Sequence, residues 1–518
     1  MPVHSHTGLS RSRSASDGRL PYTVAAGVVV FATLMLHAAS SGKLDFFRDE
    51  LYFIVCGGSP QWGYVDQPPL VPLLAHASYV ASHANPGWFR TIPALAHAAT
   101  AALTMALVRV LGGRIYAATL AGVAVAAAPV FAAFGWLFTT NVFDPLAWTA
   151  VLYGAARVAC TGDERWWLLS GVALGVALEA KYGLVLYLPG LLVGVAASPL
   201  RTSLVRRWFW IAGALATSIA LPSFIWQAVH HFPMIELLQN GAREGKNVPT
   251  PPLNFVVHVL VNLAPVTGLV AIAGLVWLVL PAQRRFGFLF VGWVVTLGVM
   301  IALHAKDYYF AAAQPALVAA GATAAAGRVR NAVARGALFF LVASALFILP
   351  VTIPLGGAAG QLAVLSALHQ EPQSSEALQQ SRLSQDFADT IGWRPFARRV
   401  SQAMTRLNPA RPGAAVVAGN YGEASALRLF GTLPDGSDVI STHNQYWLWG
   451  YAGWDGKTAI FIRRDVADLK AHCTSVEDLG PAGFTADAMP YERAKHIFVC
   501  RRLRQSVNLY WRNEKTYI

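Results

Sequence analysis

Tyr22-Thr23-Val24-Ala25-Ala26-Gly27-Val28-Val29-Val30-Phe31-Ala32-Thr33-Leu34-Met35-Leu36-His37-Ala38-Ala39 is an uninterrupted apolar run without a single Asp, Glu, Lys or Arg. As a helix it approaches the roughly 20 residues that cross the hydrocarbon core of a bilayer. No small-residue cleavage site follows, so it reads as a retained first span rather than a signal-peptide core. Further apolar runs of spanning length fall at 88–108, 115–133, 142–158, 166–180, 182–198, 208–229, 255–280, 286–303, 310–326 and 336–353. Eleven transmembrane helices are therefore expected, with the short runs on either side of Lys181 read as a tilted or re-entrant pair.

Composition agrees. Of 518 residues, 55% are hydrophobic and only 13% charged, against roughly 25% charged in a soluble domain. The net charge of +13 would suit nucleic acid, but its distribution argues otherwise. Arg109/Arg114, Arg157/Arg165, Arg201/Arg206/Arg207, Arg284/Arg285 and Arg328/Arg330/Arg335 all fall in alternate short loops. That pattern excludes nucleic-acid binding and predicts a multi-pass protein of a bacterial-type plasma membrane, N-terminus cytoplasmic and C-terminus outside.

The expected organisation is a cytoplasmic tail (1–21), a transmembrane domain (22–355) with a large first outer loop (41–87), a helical linker (356–410) and a small extracytoplasmic α/β domain (411–518). Strands are expected at 414–418, 438–441, 458–462 and 496–500, and an amphipathic helix at 386–407. Cys473 and Cys500 share this last domain; a disulfide there and two separate thiols are both open readings.

Directly after the first span comes Leu44-Asp45-Phe46-Phe47-Arg48-Asp49-Glu50-Leu51-Tyr52-Phe53. Two adjacent acids where a span meets water have a bland reading, a solvated pair at a helix start that gains roughly 0.3–1 kcal/mol from the dipole. They also suit a base acting at the bilayer surface. Asp66-Gln67-Pro68-Pro69 then breaks the chain, and 70–80 reads as a short interfacial helix.

Other polar residues fall on the same expected face. Asp144, in Thr139-Thr140-Asn141-Val142-Phe143-Asp144-Pro145, is either a helix N-cap before a proline at the first helical position or a functional intramembrane acid. Lys181 has Glu179 as a local ion-pair partner, and Lys306 has Asp307; each lysine is equally a phosphate ligand. His231, His258 and His304 are read as interfacial or hydrogen-bonding groups rather than metal ligands, since their spacing is unlike HExxH. Gly419-Asn420-Tyr421-Gly422-Glu423 has a weak look of a phosphate-binding turn, and 446–451 is read as core aromatics. There is no D-x-D, no Walker A motif and no G-x-S-x-G elbow, which argues against metal-bound nucleotide-sugar donors, ATP-driven steps and serine hydrolysis.

Arg48-Asp49-Glu50-Leu51-Tyr52-Phe53 and Trp62-Gly63-Tyr64-Val65-Asp66-Gln67-Pro68-Pro69-Leu70, followed by 139–145, Leu178-Glu179-Ala180-Lys181-Tyr182-Gly183 and Pro222-Ser223-Phe224-Ile225-Trp226-Gln227, resemble in order the motifs of family 39-like, GT-C fold glycosyltransferases. These include the protein O-mannosyltransferases and the lipid A aminoarabinose transferase. Asn141 departs from the resemblance, since many relatives carry Asp there. The resemblance implies a sugar on a polyprenyl phosphate, transferred to a hydroxyl of an envelope glycolipid, glycan or protein on the outer face. Catalysis would rest on Asp49 and Glu50, with Asp49 the base. Lys306 and Lys181 would hold the donor phosphate, and Asp66, Gln67, Asp144 and Tyr308 would orient the acceptor. A divalent metal is left open as the one candidate cofactor. The alternative is a transporter or flippase for lipid-linked saccharides, expected to show half-repeats and broken helices; a third reading is a glycan-binding scaffold in which Asp49 is dispensable.

Overall fold

The computed structural model describes residues 19–246, 250–328, 331–372, 381–407 and 414–518. The tail expected over 1–21 lies almost wholly outside these, as do parts of the 356–410 linker.

The apolar runs are helical, but fewer make straight spans than expected. Four helices are long and apolar enough to cross a membrane: Leu20–Ser40, Pro86–Val110, Arg207–Val229 and Pro281–Ala302. Four more pairs reach that length only together and bend sharply, among them Ile115–Ala127 with Pro129–Trp136 by 59° and Pro252–Val261 with Pro265–Leu278 by 114°. Among the described residues the count is thus four, or up to eight if each pair is one span, against the eleven expected. Proline causes three of the breaks: Pro129, Pro199 and Pro265 each start the second member of a pair, where a missing N–H and a ring clash stop the preceding helix. The runs at 166–180 and 310–326 give helices of only 14 and 15 residues, Trp167–Ala180 and Gln314–Arg328. At 1.5 Å per residue these fall short of a hydrocarbon core of about 30 Å.

Small residues bring the helices together. A Cβ added to Gly321 would run into the Val270 carbonyl, and one on Gly274 into that of Leu317. The helices Pro265–Leu278 and Gln314–Arg328 therefore touch backbone to backbone, the contact that lipid-embedded helices use where hydrophobicity gives no preference for protein over lipid. Gly171 and Gly175 play the same part against Ala212 and Ala216.

The C-terminal domain carries one sheet, built from β1 (Ala415–Ala418), β2 (Asp438–Ser441), β3 (Ala459–Arg463), β4 (Val476–Pro481) and β5 (His496–Cys500) in the order β2-β1-β3-β5-β4. β1 runs parallel to β2 and β3, while β5 is antiparallel to β3 and β4. The four expected strands are present; β4 escaped notice because its Val-Glu-Asp-Leu-Gly-Pro sequence is an edge strand with little apolar alternation. Cys473 and Cys500 are disulfide-bonded, with Cα atoms 5.7 Å apart. The amphipathic helix expected over 386–407 is split at Gly392, whose φ of +97° ends one turn before Trp393–Leu407 begins.

This domain and the linker before it sit on the first loop. The Arg48 N–H donates to the Asp389 carbonyl at 3.1 Å, the Val65 N–H to Gln445 Oε1 at 3.1 Å, and Arg394 Nε to Asp45 Oδ2 at 2.7 Å. Phe46, Tyr52 and Phe53 of the loop share one buried cluster with Val416, Ala418 and Tyr446 of the domain. Tyr446 is fully buried and Trp447 and Trp511 exchange indole-to-carbonyl hydrogen bonds; within the run 446–451 Tyr446 alone is core, and Trp447, Trp449 and Tyr451 are half-buried against it.

Candidate active site

The helix Arg48–Gly58 opens the first loop and fixes both acids. Glu50 is completely buried. Its Oε2 accepts from the Phe47 N–H at 2.8 Å and from Arg90 Nη2 at 2.7 Å; its Oε1 accepts from Arg90 Nε at 2.9 Å and from the Phe138 N–H at 2.7 Å. Arg90, also fully buried, spends its remaining donors on the carbonyls of Ser41, Leu44 and Asp45. A two-pronged guanidinium–carboxylate pair with every lone pair satisfied is the geometry that makes a buried ion pair tolerable. It ties the first loop to the start of the Thr91–Val110 helix and to the turn after Trp136. Glu50 therefore has no free face for substrate, and its place is structural.

Consecutive helical residues lie about 100° apart, so fixing Glu50 inward turns Asp49 out. The Asp49 side chain is 32% exposed. Its Oδ1 accepts a hydrogen bond from the Tyr421 hydroxyl at 2.7 Å, and Arg48 Nε lies 3.5 Å away. Tyr421 comes from the first turn of the helix Tyr421–Phe430, which Asn420 caps through the Glu423 N–H. Its ring lies 4.6 Å from Tyr52 and stacks at 5.0 Å on His443.

Asp66 forms the next group. Tyr52 donates to its Oδ1 at 3.0 Å and Asn444 Nδ2 to its Oδ2 at 3.2 Å. Burial, aided by the nearby charge of Asp49, pushes its carboxyl up to about 6, against the opposing hydrogen bonds of Tyr52 and Asn444. Gln67 is buried and its backbone carbonyl accepts from Tyr64 at 2.9 Å.

The cationic residues form a second group. Lys181 Nζ donates to Asn141 Oδ1 at 2.5 Å, lies 3.2 Å from Asp144 Oδ2 and sits 3.8 Å above the Tyr309 ring. The expected Glu179–Lys181 pair does not form: residues two apart on a helix do not face one another, and Lys181 leaves the helix extended at φ −158°. Asp144 is not an N-cap either. A 3-10 turn, Thr140–Val142, runs directly into the helix Phe143–Thr161, so the helix starts before Asp144 and its carboxylate goes to Lys181. Tyr308 and Tyr309 pack edge to face at 4.8 Å, with Lys306 5.9 Å from the Tyr308 ring. Asp307 bonds His258 Nδ1 at 2.7 Å and its own following N–H rather than serving Lys306 alone. The Tyr308–Tyr309 pair is the aromatic bridge between the two lysines.

Among the described residues, no three His, Cys, Asp or Glu side chains converge as metal ligands. The 419–423 turn is not an anion cradle: the Gly419 N–H is taken at 2.6 Å by Glu423 Oε2, and Glu423 is buried against Lys495 and Asn420. A cavity of about 350 Å³ lies elsewhere, on the C-terminal domain beside Arg399, Arg406 and Arg501, and none of the candidate residues lines it.

Arg90, Tyr52, Tyr421 and Asn444 were not singled out from sequence. Arg90 was visible only as one more positive residue of the outer loop. Tyr421 and Asn444 lie hundreds of residues from their partners, and nothing in the sequence places either beside the first loop.

Asp389 marks where the domain meets the loop. It is buried, 3.9 Å from Arg48 Nη1, and accepts from Tyr491 at 2.5 Å. Burial outweighs Arg48 and pushes its carboxyl up to about 7. A raised folded-state value means that the contribution is full below the unfolded value and fades as pH rises through 7. Wild type is expected to lose about 2–3 kcal/mol of stability between about pH 5 and 8 from this group. Thermal melting at both pH values checks it: Asp389→Asn should flatten the difference, and an unchanged pH slope in that variant would refute the assignment.

Residues 66–226, just under a third of the chain, match the dolichyl-phosphate-mannose-protein mannosyltransferase family. No curated protein sequence matches. Among solved structures, ArnT from Cupriavidus metallidurans in the apo state superposes with a TM-score of 0.58 at 16% identity, covering 94% of this chain and 98% of that one. ArnT bound to undecaprenyl phosphate superposes at 0.56 and 14% identity with the same coverage. The chain thus has the GT-C fold over nearly its whole length, and it is a multi-pass membrane protein.

Proposed function

We propose that this protein is a membrane glycosyltransferase that moves a monosaccharide from a polyprenyl phosphate to an acceptor hydroxyl on the outer face of a bacterial-type plasma membrane. The observation that carries the reading is Asp49, a half-exposed carboxylate aimed outward because its neighbour Glu50 is consumed by packing. The shared fold supports it, since the superposed ArnT structure holds undecaprenyl phosphate. The Cys473–Cys500 disulfide supports an oxidising, extracytoplasmic setting for the C-terminal domain.

In this reading Asp49 takes the proton as the acceptor oxygen attacks the anomeric carbon. The bond from that carbon to the phosphate oxygen breaks in line, the phosphate leaves with the electron pair, and the configuration inverts. Phosphate leaves without a general acid but needs positive charge beside it. Lys306 supplies it with Lys181, whose Nζ lies among Asn141, Asp144 and the Tyr309 ring. Asp66, held by Tyr52 and Asn444, orients the acceptor, with Asp144 and Tyr308 shaping the cationic side. Much of the rate would come from holding two substrates in line.

The four bent helix pairs favour a second reading, a saccharide transporter, because broken helices are how transporters build sites at mid-membrane depth. One experiment separates the two. The purified protein is reconstituted into liposomes with envelope extract and undecaprenyl phosphate carrying labelled mannose, arabinofuranose or 4-amino-arabinose. Labelled product from one donor is the expected result. Label that changes leaflets without changing its chemical linkage would overturn the transferase in favour of the transporter.

A further inference from the structure

The C-terminal domain reaches the proposed base directly. The Tyr421 hydroxyl donates to Asp49 Oδ1 at 2.7 Å across 372 residues of sequence. Nothing about this tyrosine is loose. Its backbone N–H lies 3.3 Å from His443 Nδ1, its ring is packed against Tyr52 and His443, and the Arg48 guanidinium lies 5.4 Å from the ring centroid. Arg48, next to the base in sequence, is anchored in the same domain: Nη1 donates to the Tyr491 hydroxyl at 2.6 Å, and Tyr491 in turn donates to Asp389. Gly422 is closed against the Arg48 side chain, where a Cβ would come within 2.5 Å of its Cγ. The residue after Tyr421 is thus fitted to the loop and the one before it is tied to Glu423 and Glu492 of the domain, so the hydroxyl arrives at the carboxylate with its rotamer already set.

We infer that the C-terminal domain completes the active site, with Tyr421 the positioning residue that holds Asp49 for proton transfer. The inference rests on the reading of Asp49 as the base. A carboxylate on a surface helix has free rotation about χ1 and χ2. One oxygen pinned by a phenol leaves the other, Oδ2, aimed at a single region, which is where an acceptor hydroxyl must come. Locked side chains of this kind are how a site keeps its geometry within a fraction of an ångström. The role therefore differs from that of a second base or of a ligand to the donor phosphate. The groups facing Asp49 from all sides are Arg48 on its own helix, Tyr421 from the domain, Asp389 from the linker, and Asp66 from the loop.

The test uses the full-length protein in nanodiscs and two substitutions at 421. Tyr421→Phe removes one oxygen and keeps the ring; site-specific 3-fluorotyrosine keeps the shape and strengthens the donor. The first readout needs no substrate. Carbodiimides label carboxyls that are accessible and not tied down by a hydrogen-bond partner, so mass spectrometry of Asp49 labelling reports how firmly the carboxylate is held. Labelling should be several-fold faster in Tyr421→Phe and no faster than wild type in the fluorotyrosine protein, a contrast that a mere packing role does not give. The second readout is transfer with the donor found above. Tyr421→Phe should lower kcat by about tenfold or more, the scale of one hydrogen bond to a charged group, with KM for the donor unchanged. Equal labelling and equal kcat in Tyr421→Phe and wild type, with Asp49→Asn inactive, would overturn the inference alone. Full activity of Asp49→Asn would remove the base itself, and the inference with it.

Discussion

Asp49→Asn is expected to lower transfer by a factor of about 10²–10⁴, the range contributed by a positioned general base. The substitution is nearly isosteric. Its amide oxygen can still accept from Tyr421, and Arg48 keeps its anchors on Tyr491 and Asp389, so the fold has no reason to change. What disappears is the capacity to accept a proton. Donor binding should survive, because the lysines assigned to the phosphate belong to the separate cluster around Tyr308 and Tyr309. Initial rates together with a binding isotherm for undecaprenyl phosphate make the distinction. A variant that transfers at the wild-type rate would end the base assignment, and one that loses lipid binding instead would move Asp49 to the donor site.

The second large effect is on stability. Arg90→Met leaves the fully buried Glu50 with two backbone donors but no counter-charge. Breaking a buried pair from one side typically costs about 3–5 kcal/mol, which is a large part of the margin of most folded proteins. Poor yield and a strongly lowered melting temperature in detergent are expected. Removing both charges in Arg90→Met/Glu50→Leu should recover part of the loss, since neither ion then remains unpaired, although the loop carbonyls that Arg90 serves still lose their donors. A single Arg90→Met protein that melts with wild type would show that the pair contributes little. The two experiments together separate neighbouring acids that composition treats as equivalent.

Much of the fold was legible in the sequence because hydrophobicity and chain-breaking residues act locally. The apolar runs located the helices, and alternation located β1, β2, β3 and β5 within a residue or two. The short helix after Pro69 was visible in the same way, and appears as Leu70–Ala81. Bends were less visible. A hydropathy run cannot distinguish a straight span from two helices meeting at 114°, although Pro265 sits at that break in plain view. For the site, charge against an apolar background pointed to Asp49, Glu50, Asp66, Asp144 and Lys181. It could not say which acid meets which base. Local neighbours suggested Lys181 with Glu179, whereas the structure joins Lys181 to Asp144 and Asn141 from another helix. The contacts of Tyr421 and Asn444 were beyond reach for a plain reason: an uncharged residue in a separate domain carries no local sign that it will close over a loop near the other end of the chain.

The Glu50 clamp also says something about order within a sequence. Exchanging the two acids, to give Glu at 49 and Asp at 50, would leave length, net charge and helix-start character untouched. Yet the shorter carboxylate would reach out for four fixed donors from one methylene too far away, and the longer one would overshoot a phenol that waits at a fixed distance. Each residue is matched to its surroundings by reach rather than by charge. The pair is asymmetric in the way a key is, and a substitution scheme that scores Asp and Glu as interchangeable will misjudge both positions.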